Sequence, residues 1–168
     1  MEYVIVSTPQ QIAELSEMGG RIFGEYYTSR GMMSEEQSVY MMDMFFSEEA
    51  IGKQIAKGYE YYFFYEEDRR IGFCAVHASE GKLFLSKLYF EESERGKGYG
   101  KEAMKFLEGL CYLQMLNAIW LTVNRENKDS IEFYLRRGFK ILRSEDNEIG
   151  QGFFMYDYIL ELPIKPLF

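Results

Sequence analysis

Apolar positions change period twice along the chain. Residues 2–7 alternate apolar and polar, which predicts a strand. Thr8-Pro9 then opens a helix, with threonine as N-cap and proline at the first helical position; Ile12, Leu15, Ile22 and Phe23 supply its apolar face. The pattern breaks around Gly31. Ser34-Glu35-Glu36-Gln37 reads as a capping box, and a second helix follows with Val39, Met42, Phe45 and Phe46 toward one side. A third helical run over 47–57 stops at Gly58.

Beyond Gly58 the strand period returns. Residues 59–65, 71–78 and 82–90 read as strands, separated by the polar turn 66–70 and by Glu80-Gly81, so an antiparallel meander is expected. A central helix over 99–116 carries Ala103, Phe106, Leu107 and Leu110 on one face. A strand over 118–123, a short helix over 128–136 stopped by Gly138, and strands over 139–143 and 153–160 around a polar hairpin at 144–152 complete the order. The tail 163–168 packs or trails. A helix between the third meander strand and the next strand makes a βαβ unit, hence a locally parallel pair. The expected fold class is α+β: one domain over 1–168, with a central mixed, mostly antiparallel sheet of about seven strands flanked by helices.

Composition narrows the functional classes. Apolar residues make up 47% of the chain, with 14 Tyr and 14 Phe, enough to bury a core and to exclude disorder. The formal charge of −8 disfavours nucleic acid, which needs a basic footprint, and is compatible with a cationic small molecule or basic peptide. No apolar run reaches the roughly 18 residues of a membrane span. The first residues, MEYVIVSTPQQ, lack the basic-then-apolar layout of a signal peptide, so a cytoplasmic location is expected. Cys74 and Cys111 sit in apolar surroundings and read as buried free thiols. A single histidine and no Cys/His cluster argue against a zinc site.

The segment Arg95-Gly96-Lys97-Gly98-Tyr99-Gly100 joins the strand LFLSKLYF to the helix KEAMKFLEGLCYLQML. A glycine-rich turn there sets backbone N–H groups without intrahelical partners at the positive end of a helix, an anion site suited to phosphate or pyrophosphate. A P-loop does not fit, because Gly96 to Gly100 is one residue short and Glu102 follows Lys101 where a magnesium-binding hydroxyl belongs. A dinucleotide fingerprint does not fit either, because Lys101 holds the position of its third glycine.

The spacing R-x-x-G-x-G, as Arg95, Gly98 and Gly100, resembles the coenzyme A pyrophosphate loop of the GNAT N-acetyltransferase superfamily. About 30 residues on, Asn127-x-x-Ser130-x-x-x-Tyr134-x-x-x-Gly138-Phe139 is similar to that family's second signature. The resemblance is strongest over 83–139, and the element order extends it over nearly the whole chain.

The resemblance implies acetyl-CoA as cosubstrate and no metal. Pantetheine would pair, like an extra strand, with main-chain groups of Leu88, Tyr89 and Phe90. The pyrophosphate would sit on the amides of Gly96, Lys97, Gly98, Tyr99, Gly100 and Lys101, with Arg95 adding a charge-assisted contact. Asn127, Ser130 and Tyr134 share one helical face. Asn127 contacts the cofactor or only caps its helix, and Ser130 is small enough to let CoA pass. Tyr134 would protonate the departing thiolate, while Phe133 fits a packing role more naturally.

The implied reaction moves an acetyl group to an amine by direct attack in a ternary complex. The alternative is a non-catalytic acyl-CoA-binding sensor on the same fold. The strand before the loop carries no carboxylate to serve as base; Ser86 and Lys87 are weak substitutes, and His77 is titratable near neutrality. Glu25, Asp43 and Glu66 are candidate amine-binding carboxylates, and Met32, Met33, Met41, Met42 and Met44 form either an acceptor pocket or core. A homodimer through an open strand edge, at 59–65 or along the C-terminal strand, is a further expectation.

Overall fold

The structure, a computed structural model, describes residues 1–166. The elements run β1 (Glu2–Ile5), α1 (Pro9–Ser29), α2 (Glu35–Phe46), α3 (Glu48–Ala56), β2 (Glu60–Glu66), β3 (Arg69–Ser79), β4 (Lys82–Phe90), a 3-10 turn (Glu92–Glu94), α4 (Tyr99–Gln114), β5 (Ala118–Asn124), α5 (Lys128–Arg136), β6 (Lys140–Gly150) and β7 (Phe153–Pro163). The strands form one seven-stranded sheet in the order β1-β2-β3-β4-β5-β7-β6. Pairing is antiparallel at β1–β2, β2–β3, β5–β7 and β6–β7, and parallel at β4–β5, the signature of the expected βαβ unit.

Two compact units make up the chain. The first comprises Met1–His77 and Lys87–Glu102. Its helix α1 starts where the sequence predicts: Thr8 Oγ1 accepts from Gln11 N at 3.1 Å, and the Gln11 side chain accepts from Thr8 N at 3.0 Å, closing a capping box. At Ser34 only half the expected box forms. Its hydroxyl accepts from Gln37 N, while the Gln37 amide donates to Met41 Sδ at 3.8 Å. Helix α2 buries Ser38, Met41 and Phe46, whereas Val39, expected on the apolar face, is exposed. Apolar residues nearly encircle this helix, so its contact with α1 chooses the buried face. Tyr61, Phe63, Phe64 and Phe73 fill the core beneath.

The second unit comprises Ala78–Ser86 and the chain from Ala103 onward. The buried residues of helix α4 are Ala103, Met104, Leu107 and Cys111. The run expected as a polar hairpin at 144–152 is mostly strand, because β6 stays paired with β7 to Gly150, through register shifts at 141–143 and 148–150, despite its exposed polar side chains. Ladder hydrogen bonds hold it there, and a composition-based reading does not see them. The tail packs as far as Ile164, whose N–H donates to the Asn117 carbonyl at 2.8 Å; Leu167 and Phe168 lie outside the described residues.

Neither strand proposed as an open edge is one. β2 is flanked by β1 and β3, and β7 is flanked by β5 and β6. The short N-terminal strand covers β2, and the final hairpin inserts β7 inside β6, leaving β1 and β6 as the edges. Both cysteines are buried free thiols, as expected. No helix among the described residues is long and apolar enough to cross a membrane.

Candidate active site

The glycine-rich loop belongs to the first unit. Gly96 and Gly98 adopt φ of +76° and +87°, a left-handed backbone that L side chains rarely adopt. Apart from the adjoining residues of the chain, no atom lies within 4 Å of where a Cβ on either residue would stand, so the loop's surface is open there. The Glu102 N–H donates to the Gly98 carbonyl, which leaves the first amides of α4 ahead of the intrahelical ladder, as helix geometry requires.

Charged residues brace the loop. The guanidinium of Arg95 lies 5.0 Å from the centroid of the Tyr26 ring and donates to the Phe90 carbonyl. Glu94 is buried between Arg69 and Lys97, which donate to it at 3.2 and 3.1 Å and hold its carboxyl below the ordinary range, Lys97 being the larger influence. Arg21 of α1 grips Glu91 through both terminal guanidinium nitrogens, at 3.0 and 2.7 Å.

Leu88, Tyr89 and Phe90 form the end of β4 that feeds this loop. Tyr89 packs on Phe73, Phe46 and Phe23, and Phe90 packs between Phe64 and Tyr99. The strand lies close on β3 only because residue 72 is glycine: a Cβ there would meet the Tyr89 carbonyl oxygen at 2.4 Å. The β4–β5 pairs are Lys82–Ala118, Leu83–Ile119 and Phe84–Trp120, and β4 continues beyond them to Phe90.

Lys87 departs most from its expected surroundings. It is buried, with Nζ donating to the Tyr61 hydroxyl at 2.7 Å and to Gln54 Oε1 at 3.0 Å. The rings of Tyr61, Phe46 and Phe45 surround it. Desolvation without a carboxylate partner lowers its pKa to about 7.

The second signature lies in the second unit. Asn127 is the N-cap of α5: its Oδ1 accepts from Ser130 N at 3.3 Å and its own N–H donates to the Asn124 carbonyl at 2.9 Å. Ser130 is half-buried one turn on. Tyr134 is buried, edge-on to Phe133 and Phe139. Phe133 is the more exposed of the two rings and lies under the Arg137 guanidinium. Residues 88–90 and 95–101 thus assemble in one unit, and Asn127, Ser130 and Tyr134 in the other.

The remaining candidates separate. His77 stacks on Tyr59, with Nε2 3.3 Å from the Lys57 carbonyl, a structural setting. Glu66 pairs with the Met1 amine at 3.4 Å, and Glu25 and Asp43 are exposed. Met41 is core, and Met42 packs against Gly20 and Gly24 of α1. No group of residues suited to a metal ion occurs among the described residues.

One titratable residue escaped the sequence reading. Asp157 of β7 is buried, and burial raises its pKa to about 6 against the opposing pull of Arg125. Its only signal in the sequence is a carboxylate inside the otherwise uncharged run FFMYDYIL.

Residues 21–139 match the acetyltransferase (GNAT) family. The chain belongs to the GNAT acetyltransferase family. Solved structures share the fold at low identity. The PaiA N-acetyltransferase of Thermoplasma acidophilum, determined with coenzyme A, is 22% identical, covering 97% of this chain and 99% of its own with a TM-score of 0.77. A GNAT-family acetyltransferase of Desulfovibrio desulfuricans is 16% identical, covering 98% and 99% with a TM-score of 0.69. A Bacillus subtilis acetyltransferase, also determined with coenzyme A, is 16% identical, covering 68% and 83% with a TM-score of 0.57. No curated protein matches the chain.

Proposed function

We propose that this GNAT protein transfers an acetyl group from acetyl-CoA to an amine-bearing small molecule or peptide. The observation that carries the reading is the pair of left-handed glycines, Gly96 and Gly98, opening onto the N-terminus of α4 with no atom over them. That surface suits a pyrophosphate, whose charge the helix end and its amides stabilise. The coenzyme A bound by two of the solved relatives supports the same ligand here.

In this reading the pyrophosphate takes amides from Gly96 to Lys101, and pantetheine pairs with the main chain of Leu88 to Phe90. Arg95, already committed to the Phe90 carbonyl, braces the loop as much as it contacts the ligand. Asn127 holds the start of α5, Ser130 leaves room beside it, and Tyr134 presents its hydroxyl. The acceptor nitrogen attacks the thioester carbonyl, the C–N bond forms, and the C–S bond breaks. The phenol of Tyr134 donates its proton to the departing thiolate. No covalent enzyme intermediate is required, because positioning two substrates supplies much of the rate.

The test is free-thiol release from acetyl-CoA against a panel of amines, with acetyl-CoA binding measured by calorimetry on the same sample. Binding with amine-dependent release supports the proposal, and the best amine defines the acceptor class. Binding without release on any amine favours an acyl-CoA sensor. Absence of binding overturns the coenzyme assignment.

A further inference from the structure

The amine acceptor must lose a proton before it can attack, and β4 offers no carboxylate to take it. We infer that Asp157 is the base that receives the acceptor's proton; this rests on the acetyl-transfer reading above.

Position is the first argument. Asp157 lies directly opposite Asn124 in the β5–β7 ladder, so the two side chains share a face of the sheet. Asn124 ends β5 and accepts from the N–H of Asn127, the N-cap of the helix that carries Tyr134. The turn between them is tied to β7 as well, because the Arg125 N–H donates to the Tyr156 carbonyl at 2.9 Å. One short turn therefore couples Asp157 to the base of α5.

The second argument is openness. Thr122 lies two residues before Asn124 on the same face, paired with Ile159 of β7 beyond the last β4–β5 pair, and it is exposed. Solvent reaches this face beside the buried carboxylate.

The third argument is an unmet need. Among the described residues no side-chain hydrogen bond or ion pair reaches the Asp157 carboxylate, although its side chain is buried. Arg137 Nε is the one fully buried side-chain polar atom without a partner among the described residues, so the Asp157 oxygens keep contact with solvent, and a largely buried carboxylate with no side-chain donor favours taking up a proton. The charged groups nearest it are Arg125, following β5, and Glu145, opposite it on β6. Both have other partners: Arg125 pairs with Asp146, and Glu145 accepts from Arg143 at 2.9 Å and from Asn147 at 3.3 Å. The resulting pKa, about 6, suits a base that works near neutral pH. Lys87 also titrates near neutrality, but its Nζ already donates to Tyr61 and Gln54 inside a ring of aromatics.

The proton ledger closes. The acceptor ammonium gives one proton to the Asp157 carboxylate, and its nitrogen lone pair forms the new C–N bond. As the C–S bond breaks, the thiolate takes the Tyr134 proton. The second nitrogen proton restores the phenol, and Asp157 returns its own proton to solvent.

The experiment compares thiol-release rates from pH 5 to 9 for the wild type, Asp157→Asn, Glu145→Gln and Lys87→Met. The amine is the best of spermidine, kanamycin, lysine amide and alanine amide. Acetyl-CoA affinity is measured for each variant by calorimetry, and folding by circular dichroism. The expected result for Asp157→Asn is a loss of about 100-fold or more in turnover. Its acetyl-CoA affinity stays within about twofold, and the fall in rate on the acid side of the profile disappears. Glu145→Gln, which removes a neighbouring negative charge, moves that fall to lower pH and decides the matter if Asp157→Asn does not fold; an unmoved profile then overturns the assignment. Asp157→Asn with more than about a third of wild-type turnover and the same profile also overturns it. So does an acid-side fall that vanishes in Lys87→Met instead. A wild type that binds acetyl-CoA but acetylates none of these amines defeats the transfer reading itself, before any variant is compared.

Discussion

The Nζ of Lys87 donates to the Tyr61 hydroxyl at 2.7 Å, and that hydroxyl in turn donates to Gln54 Oε1. The relay lies in the aromatic core under α2 and α3, with no carboxylate to balance an ammonium. Its consequence is a pH-dependent stability. Between pH about 7 and the ordinary lysine value of 10.5, the unfolded chain holds a proton that the folded chain has released. Stability therefore rises with pH across that window, each unit being worth at most about 1.4 kcal/mol. Below pH 7 both states are protonated, and the contribution is at its least. Lys87→Met should flatten this slope and melt above the wild type at pH 6, with the gap closing toward pH 9.5. Thermal melts across that range check it, and parallel profiles for the two proteins would refute it.

Tyr134→Phe keeps the ring between Phe133 and Phe139 and removes only the hydroxyl. Turnover should fall at least about tenfold while acetyl-CoA affinity stays within a few-fold. Steady-state kinetics with calorimetry decides, and unchanged turnover removes Tyr134 as the acid.

Gly98→Val forces a β-branched side chain into φ of +87° and sets it over the loop's open surface. The left-handed backbone costs on the order of 1–2 kcal/mol. Acetyl-CoA affinity should fall at least about tenfold. Unchanged affinity by calorimetry would make the loop purely structural.

Two helical glycines should respond in opposite directions. A Cβ on Gly19 would meet the Phe46 ring at 2.5 Å, so Gly19→Ala must push α1 from α2 and lower the melting temperature. Gly52 of α3 has no atom within 4 Å of that position, and Gly52→Ala should stabilise by about 0.5–1 kcal/mol through helix propensity. Chemical denaturation of the pair tests whether helix packing or propensity governs each site.

Local chemistry was legible wherever neighbouring residues settle it. Thr8 and Gln11 cap α1 because both partners lie within one turn. Gly96 and Gly98 adopt the left-handed backbone that a glycine-rich turn before a helix suggests. The bounds of α5 and its stop at Gly138 came from the same short-range logic. Val39 was misplaced because a helix with apolar residues on nearly every side has no face of its own choosing.

The sequence by itself determined the order of elements, the acyltransferase signatures and the family. Those depend on periodicity and spacing, which act over a few residues. Only the tertiary structure decided which strands are edges, that β6 persists through a polar run, and that Lys87 and Asp157 are buried titratable groups. The environment of Lys87 is set by Tyr61 and Gln54, and that of Asp157 by Arg125 and Glu145. A pKa responds to desolvation and to charges nearby in space, and chain folding alone brings those groups together.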